Sequence, residues 1–500
     1  MTAILENLRE FWLVHVLLAL YTVLLVYHAY SGQKETKELA DYYVGGRGMG
    51  GVALGLSFFA TYSSTNSFIG FSGQAHAWGA PWLLLVPFVI GFSLFAWSVV
   101  APRLRVFTRS LDSLTVPDFI GFRFDSTAAR FFAAVIVLFA SLFYMTAVFK
   151  GIGNLLETFM DIPYKVSIAL VFIVVVIYTA VGGFISVVKT DAVQGVVMSI
   201  AAVLLFTGTV SAAGGLGAIN FIREAPDTAH LFSWGGGVAV PTLFGVLVAG
   251  TIKFAVEPRQ LSRFYALDSP EATRTGMLVS TVTFTAVYSL LVPVGLYARR
   301  IIPENLEDTD LVVPTLLATE GVFTSLGAAF LLVAMVAAAM SSLDSVLLVL
   351  ASTAERDLVG VFRPPRSETA ALRATRIYVA VFALITAIIA LNPPGGIVTL
   401  TALSGSLYGA CFLPAVVLGL YWRRGNGAAV IASYVCGLIP LIFWRYTPWA
   451  EDLHQVFPAL VLSATIYVVM SAAGPSVDTQ RVTNLFDAID GSLAAPKRPR

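Results

Sequence analysis

The sequence has little charge. Only 12% of its 500 residues are charged, whereas 57% are hydrophobic, and an ordinary soluble domain carries about twice that share of charge. Such a deficit excludes an ordinary water-exposed surface and indicates a surface that faces lipid. The net charge is +1 and no basic domain stands out, so nothing favours a nucleic-acid partner. Membrane lipid is the expected surrounding.

The sequence is also poor in cysteine and histidine. Its two cysteines, Cys411 and Cys436, lie inside apolar runs, so a disulfide framework is not indicated. Its five histidines have no metal-ligand spacing, and the chain has no phosphate-binding loop and no nucleophile elbow. We therefore predict that the protein is not an enzyme. A pump driven by its own chemistry is excluded on the same ground, so an ion gradient would have to drive any uphill transport.

Long apolar runs are abundant. A helix needs roughly 20 apolar residues to cross the hydrocarbon core, and lipid-exposed strands would show an alternating pattern that is absent here. The sequence predicts an all-α polytopic membrane protein with about 13 transmembrane helices. The predicted spans are 9–29, 48–77, 80–102, 128–156, 162–182, 187–213, 238–258, 273–298, 322–354, 374–392, 397–421, 427–445 and 455–472.

Most Lys and Arg residues fall in alternate loops, starting with residues 30–47. Because positive loops stay in the cytoplasm, this asymmetry predicts an N-terminus outside and a C-terminus inside. We treat residues 1–473 as a single transmembrane domain. Residues 474–500 are expected to form a short cytoplasmic tail without order.

Two spans are poor membrane helices. The first, 48–77, is interrupted by the polar run Thr61–Ser67, and the second, 238–258, contains Gly245, Gly250 and Lys253. Interrupted helices in corresponding positions of two halves indicate a transporter binding site. The two spans lie five helices apart, as two inverted five-helix repeats require. Small hydroxyl residues can also serve helix packing, but seven consecutive polar side chains favour a polar cavity.

A polar stripe marks the span 322–354. Ala338, Ser341, Ser342 and Ser345 share one helix face, and Asp344 lies at its edge. Hydroxyl, carboxylate and carbonyl oxygens suit a small hard cation, although Asp344 could instead pair with a lysine or be protonated. Asp191 stands near a predicted helix start, where a carboxylate often only stabilises the helix dipole.

Several motifs resemble the sodium/solute symporter family, which includes sodium/proline, sodium/glucose, pantothenate and monocarboxylate carriers. The likeness runs from residue 41 to about residue 445. Its most specific segment is 178–186, Tyr-Thr-Ala-Val-Gly-Gly-Phe-Ile-Ser, followed by Thr-Asp-Ala-Val-Gln at 190–194. Further matches are Asp41–Arg47, Ser67–Gly70, Glu257-Pro258 with Arg263-Phe264, and Ser341–Leu343.

The resemblance implies a leucine-transporter-like fold. One leading helix (9–29) would precede two inverted repeats (about 48–213 and 238–421), and extra helices (427–472) would follow. It also implies Na⁺ as the coupling ion. The family's common sodium site would fall on Ala60, Ser63, Ala338, Ser341 and Ser342. A second sodium site, present in some members, would involve Asp191, Ser341, Asp344 and Ser345, with Asp344 as a departure from the neutral residue of many members.

The resemblance places substrate beside the broken helices. The candidate residues are Ser64, Asn66, Ser67, Tyr144 and Lys253. Two lysines within predicted spans, Lys150 and Lys253, favour a carboxylate or an amino acid. The predicted function is a sodium-coupled symporter of the cell membrane that imports a small polar molecule by alternating access. The alternatives are a sensory module of the same fold, for which the short C-terminal segment leaves little room, and a carrier that is uncoupled or proton-coupled.

Overall fold

Helices account for all regular structure in the part of the chain that the computed structural model describes, which comprises residue 7 and residues 9–302, 306–365, 367–474 and 479–494. Eleven helices in this part are long and apolar enough to cross a membrane. A helix suits lipid because it satisfies its own backbone hydrogen bonds. The α-helices of six residues or more are Trp12–Glu35, Leu39–Val44, Gly51–Tyr62, Phe71–Trp78, Leu85–Phe95, Ala101–Ser110, Val116–Phe124, Thr127–Met160, Tyr164–Ala212, Ala218–Glu224, Val240–Thr251, Pro258–Ala266, Pro270–Ala298, Val312–Ala318, Ser325–Thr353, Glu368–Ala390, Ile397–Phe412, Gly427–Phe443, Val456–Ala473 and Thr479–Ala494.

The helix Tyr164–Ala212 is interrupted at Gly183. Its 49 residues would measure about 74 Å if straight, more than twice the thickness of the hydrocarbon core. Gly183 has a φ of 64°, and a Cβ there would lie 2.6 Å from the Tyr42 ring, so glycine is required on both counts. The predicted spans 162–182 and 187–213 lie on either side of this break. The total of thirteen crossings depends on this division and remains a prediction.

The first of the two spans that the sequence marks as interrupted is broken at its polar run. The second is broken at Glu257, at its predicted end, whereas Gly245 and Gly250 lie in a regular helix. The first broken span consists of Gly51–Tyr62, an extended residue Ser63, the π-helical turn Asn66–Gly70 and Phe71–Trp78. The second broken span consists of Val240–Thr251, Lys253–Val256 and Pro258–Ala266. Pro258 begins its last segment, where a missing N–H has no cost. The first broken span packs against the serine helix, Ser325–Thr353.

The tail departs from expectation. Thr479–Ala494 is a helix, whereas we expected no order after residue 473, so that expectation is wrong for these residues. Val482, Phe486 and Ile489 are buried, at the spacing of one helix face. Asp490 pairs with Arg103 over 2.9 Å. The sequence signal for this helix is its amphipathic pattern, which the polar composition of the segment does not reveal.

Candidate ion and substrate site

The break in the first broken span exposes backbone carbonyl groups to side-chain donors. Ser63 is extended, with φ −76° and ψ 105°, so the helical hydrogen bonds of the preceding turn stop there. Ser341 Oγ donates to the Ala60 carbonyl over 3.0 Å, and Ser342 Oγ donates to the Thr61 carbonyl over 3.0 Å. The serine helix and the broken span therefore meet through oxygen atoms.

This junction contains four of the five residues expected at the common sodium site. Ser341 Oγ also donates to the Ala338 carbonyl over 2.8 Å, which adds Ala338 to Ala60, Ser341 and Ser342. Ser63, the fifth residue, was expected to offer its backbone carbonyl, and its hydroxyl lies 3.3 Å from the Tyr288 hydroxyl. Carbonyl and hydroxyl oxygens are hard ligands that suit an alkali cation, so the donor set fits Na⁺. The assignment of the ion to these residues remains a prediction.

The residues expected at the second sodium site are joined through Arg263. Nη2 of Arg263 donates to Asp191 Oδ2 over 2.8 Å and to Ser345 Oγ over 2.7 Å. Ser345 Oγ lies 2.9 Å from the Ser341 carbonyl and 3.3 Å from Asp344 Oδ1. Asp191 Oδ2 also accepts from Ser57 Oγ over 2.6 Å. Two carboxylates and one guanidinium are thus gathered in a buried cluster.

Arg263 and Ser57 are the residues that sequence reasoning missed here. Arg263 belongs to a quoted motif, but a motif match gives no partner. Asp191 is buried and lies about two turns beyond the break at Gly183, so it does not stabilise an exposed helix start. Asp191 Oδ1 and Asp344 Oδ2 have no hydrogen-bond partner among the described residues. Each of these oxygen atoms could accept a further hydrogen bond or ligate a cation.

A small cavity lies beside this cluster. It measures about 20 Å³ and is lined by Arg263, Ser345, Tyr43 and Thr115, among others. That is about the space one water molecule needs. The buried cluster therefore borders a small cavity with a mixed polar and apolar lining.

The substrate candidates Ser64, Asn66 and Ser67 hydrogen-bond mainly to one another within the break of the first broken span. Ser64 Oγ accepts from the Asn66 N–H over 3.2 Å, and Ser67 Oγ accepts from the Ser64 N–H over 3.4 Å. Ser67 Oγ also lies 2.6 Å from the Tyr288 hydroxyl. Asn66 Oδ1 is buried and has no partner among the described residues. Of these three candidates, Asn66 has the acceptor most available to a ligand.

Tyr144 and Lys253 lie together, on different helices. The Lys253 ammonium lies 4.7 Å from the centre of the Tyr144 ring, and the Arg259 guanidinium lies 3.8 Å from it. Arg259 pairs with Glu257 over 2.7 Å and donates to the Thr61 carbonyl over 2.6 Å. Thr61 thereby links the second broken span to the first, next to the proposed ion ligands. Glu257 was matched only as part of a motif, and Arg259 was not among the expected residues.

Lys150, the other lysine inside a predicted span, is not part of this group. Its ammonium pairs with Asp308 over 3.0 Å and with Asp310 over 2.7 Å. Asp310 also accepts from the backbone N–H of Ile397 over 2.9 Å. Lys150 therefore ties the segment around Thr309–Leu311 to two helices, which is a structural role.

Comparison with solved structures defines the class. A Na⁺-coupled sialic acid symporter has the same fold, with a TM-score of 0.79 at 21% identity over 93% of this chain and 99% of that one. Mhp1, a nucleobase-cation-symport-1 transporter, matches with a TM-score of 0.54 at 15% identity over 89% of this chain and 98% of that one. The protein has the leucine-transporter fold, as expected.

The family follows from the sequence matches. The family model for the sodium:solute symporter family covers residues 42–437, so the chain belongs to that family. The sodium/pantothenate symporter of Escherichia coli is 31% identical over 88% of this chain and 91% of that protein. The osmoregulated proline transporter OpuE of Bacillus subtilis is 30% identical over 94% of this chain and 97% of that protein. The resemblance inferred from the motifs is confirmed, and the family is one of transporters.

Proposed function

We propose that the protein is a secondary active symporter of the cell membrane, which uses a sodium gradient to import a small carboxylate or amino acid. The observation that carries this proposal is the junction of Ser341 and Ser342 with the Ala60 and Thr61 carbonyls. Sodium held there would bridge the serine helix and the first broken span. The family and its sodium-coupled members support this interpretation.

Sodium binding and substrate binding are coupled through Thr61. Its carbonyl accepts from Ser342 on the ion side and from Arg259 on the substrate side. Sodium that orders this turn also orders the groups around Tyr144. Because such coupling is reciprocal, sodium raises substrate affinity and substrate raises sodium affinity by the same factor.

The cluster of Asp191, Asp344 and Ser345 is the proposed second cation site. Its two carboxyl groups face one guanidinium, which is paired with Asp191, so an ionised Asp344 would need a further cation as its partner. A second Na⁺ fits this charge. The N-terminus is proposed to lie outside and the C-terminus in the cytoplasm, as the distribution of Lys and Arg indicates.

The test is uptake into proteoliposomes of labelled proline, acetate, pyruvate, pantothenate and glucose, with and without an inward sodium gradient. We expect one compound to accumulate, and only with sodium. Equal uptake with a proton gradient alone would replace sodium by H⁺. Flux that does not saturate with concentration would indicate a channel, and binding without transport would favour a sensory module.

The Ser341→Ala variant tests the ion ligands. Removing one ligating hydroxyl should weaken the apparent affinity for sodium roughly tenfold, a difference of about 1.4 kcal/mol, and weaken the affinity for substrate with it. Ser433→Ala is the matched control, because Ser433 is equally buried but bonds only to its own helix, at Val430. Unchanged sodium dependence in Ser341→Ala would refute the assignment.

A further inference from the structure

The buried charges around the two broken spans divide into two groups. The ion-side group is Asp191, Arg263 and Asp344, and the substrate-side group is Lys253, Glu257 and Arg259. The side chain of each is fully buried or nearly so. Each group contains one ion pair, Asp191 with Arg263 at 2.8 Å and Glu257 with Arg259 at 2.7 Å. Among the described residues, the ionisable group left outside an ion pair is Asp344 on the ion side and Lys253 on the substrate side.

The ammonium of Lys253 has no hydrogen bond or ion pair within the described part of the chain. Glu257 lies nearby but is bonded to Arg259. Lys253 has only the faces of two aromatic rings, Tyr144 at 4.7 Å and Tyr62 at 5.9 Å from the ring centres. Ring faces attract a cation, but far less than water does, so the burial of this charge is not compensated within the protein.

The position of Lys253 is fixed by close packing. A Cβ added at Gly405 would lie 1.8 Å from the Ala249 carbonyl and 3.3 Å from Cδ of Lys253. The lysine stem therefore runs along a bare stretch of the helix Ile397–Phe412. Lys253 also begins the short segment Lys253–Val256, which ends at the extended residue Glu257. An ammonium held in this way is preorganised for a ligand.

We infer that Lys253 binds the carboxylate of the substrate, and that the substrate carries a net charge of −1. This inference rests on the proposed symport function and narrows it. A monoanion neutralises the excess positive charge of the substrate-side group. A zwitterion would bring an ammonium as well, and the nearby carboxylate, Glu257, is already paired with Arg259. The site therefore favours a monocarboxylate over an amino acid.

The test compares Lys253→Met, Lys253→Arg and Lys165→Met in proteoliposomes. Lys165 is an exposed lysine, so its replacement controls for the loss of one positive charge. The labelled compounds are propionate, pantothenate and proline, and the competitors are the uncharged analogues propionamide and pantothenol. Sodium binding without substrate, followed by tryptophan fluorescence, shows that each variant is folded.

In the parent protein we expect sodium-dependent uptake of a monoanion, with which its uncharged analogue does not compete. Lys253→Met should lower the affinity for the monoanion roughly 100-fold, as expected when one partner of a buried charge pair is removed. Lys253→Arg should retain part of the affinity for the monoanion, and Lys165→Met should retain all of it. Sodium binding should persist in each variant.

Two results would overturn the inference while the symport function stands. One is sodium-dependent uptake of proline but of neither monoanion. The other is monoanion uptake that Lys253→Met leaves unchanged. The absence of sodium-dependent uptake of all three compounds would instead remove the proposed function, and this inference with it.

Discussion

Lys150 and Lys253 are two lysines in apolar surroundings with opposite environments. Lys150 has two carboxylate partners, at 3.0 Å and 2.7 Å, whereas Lys253 has aromatic rings beside it and no carboxylate bonded to it among the residues that the structure describes. A buried charge is tolerated when it is paired and is costly when it is not. The partnered lysine therefore supports the fold, whereas the charge of the unpartnered lysine remains available to a ligand.

The largest expected effect is in Lys150→Met. Removing one partner of a buried pair leaves the other charge uncompensated, and we expect a loss of about 3 kcal/mol of stability. Burial already raises the pKa of Asp310, although the Lys150 ammonium opposes that shift. Without Lys150 the pKa should rise further, so the deficit should shrink at acidic pH, where the carboxyl is protonated. Melting temperatures of the purified protein at pH 5 and pH 8 would measure both effects.

The double variant Lys150→Met with Asp310→Asn sharpens this result. The amide oxygen of the new side chain can still accept from the Ile397 N–H, but it carries no charge. We expect the double variant to regain part of the lost melting temperature. If it is no more stable than Lys150→Met, the ion pair does not explain the role of Lys150.

The change in stability expected for Lys253→Met is smaller than that for Lys150→Met and has the opposite sign. Lys253→Met replaces an unpaired buried ammonium by an apolar side chain, which should stabilise the ligand-free protein by about 1 kcal/mol after the lost ring contacts are counted. The substrate should raise the melting temperature of the parent protein but not of this variant. A clear loss of ligand-free stability in Lys253→Met would contradict the contrast between the two lysines.

The smallest effect is expected in Lys165→Met. Lys165 is exposed, and replacements on the surface usually change stability by less than about 0.5 kcal/mol. Its melting temperature should match that of the parent protein. A change as large as that of either buried lysine would show that the loss of charge alone, and not burial, causes those effects.

Local sequence was sufficient for the helical class, for the two broken spans and for the family. An apolar run of sufficient length predicts a membrane-spanning helix. The polar run Thr61–Ser67 predicts a break, because seven consecutive polar side chains are costly in a lipid-facing helix. The tail was misjudged, because the buried face of Thr479–Ala494 depends on contacts with distant residues such as Arg103.

The site could be predicted only in part. The serine stripe follows from helical periodicity, so Ser341 and Ser342 were found, and family motifs supplied Ala60. Ser63 was expected to offer its backbone carbonyl to the ion, which stays a prediction, but Tyr288 was not expected as the partner of its hydroxyl. Tyr288 belongs to no motif, and its place beside Ser63 and Ser67 follows from the packing of Pro270–Ala298 against the first broken span.

By itself, the sequence determined that this chain spans a membrane, that it is helical, and that two of its helices are broken. These properties depend on residues close to one another along the chain. The tertiary structure alone decided which charges are paired. Lys150 meets Asp308 and Asp310 across more than 150 positions, and Arg263 meets Asp191 across 72. Electrostatic energy depends on distance in space and on the exclusion of water, and neither can be read from positions along the chain.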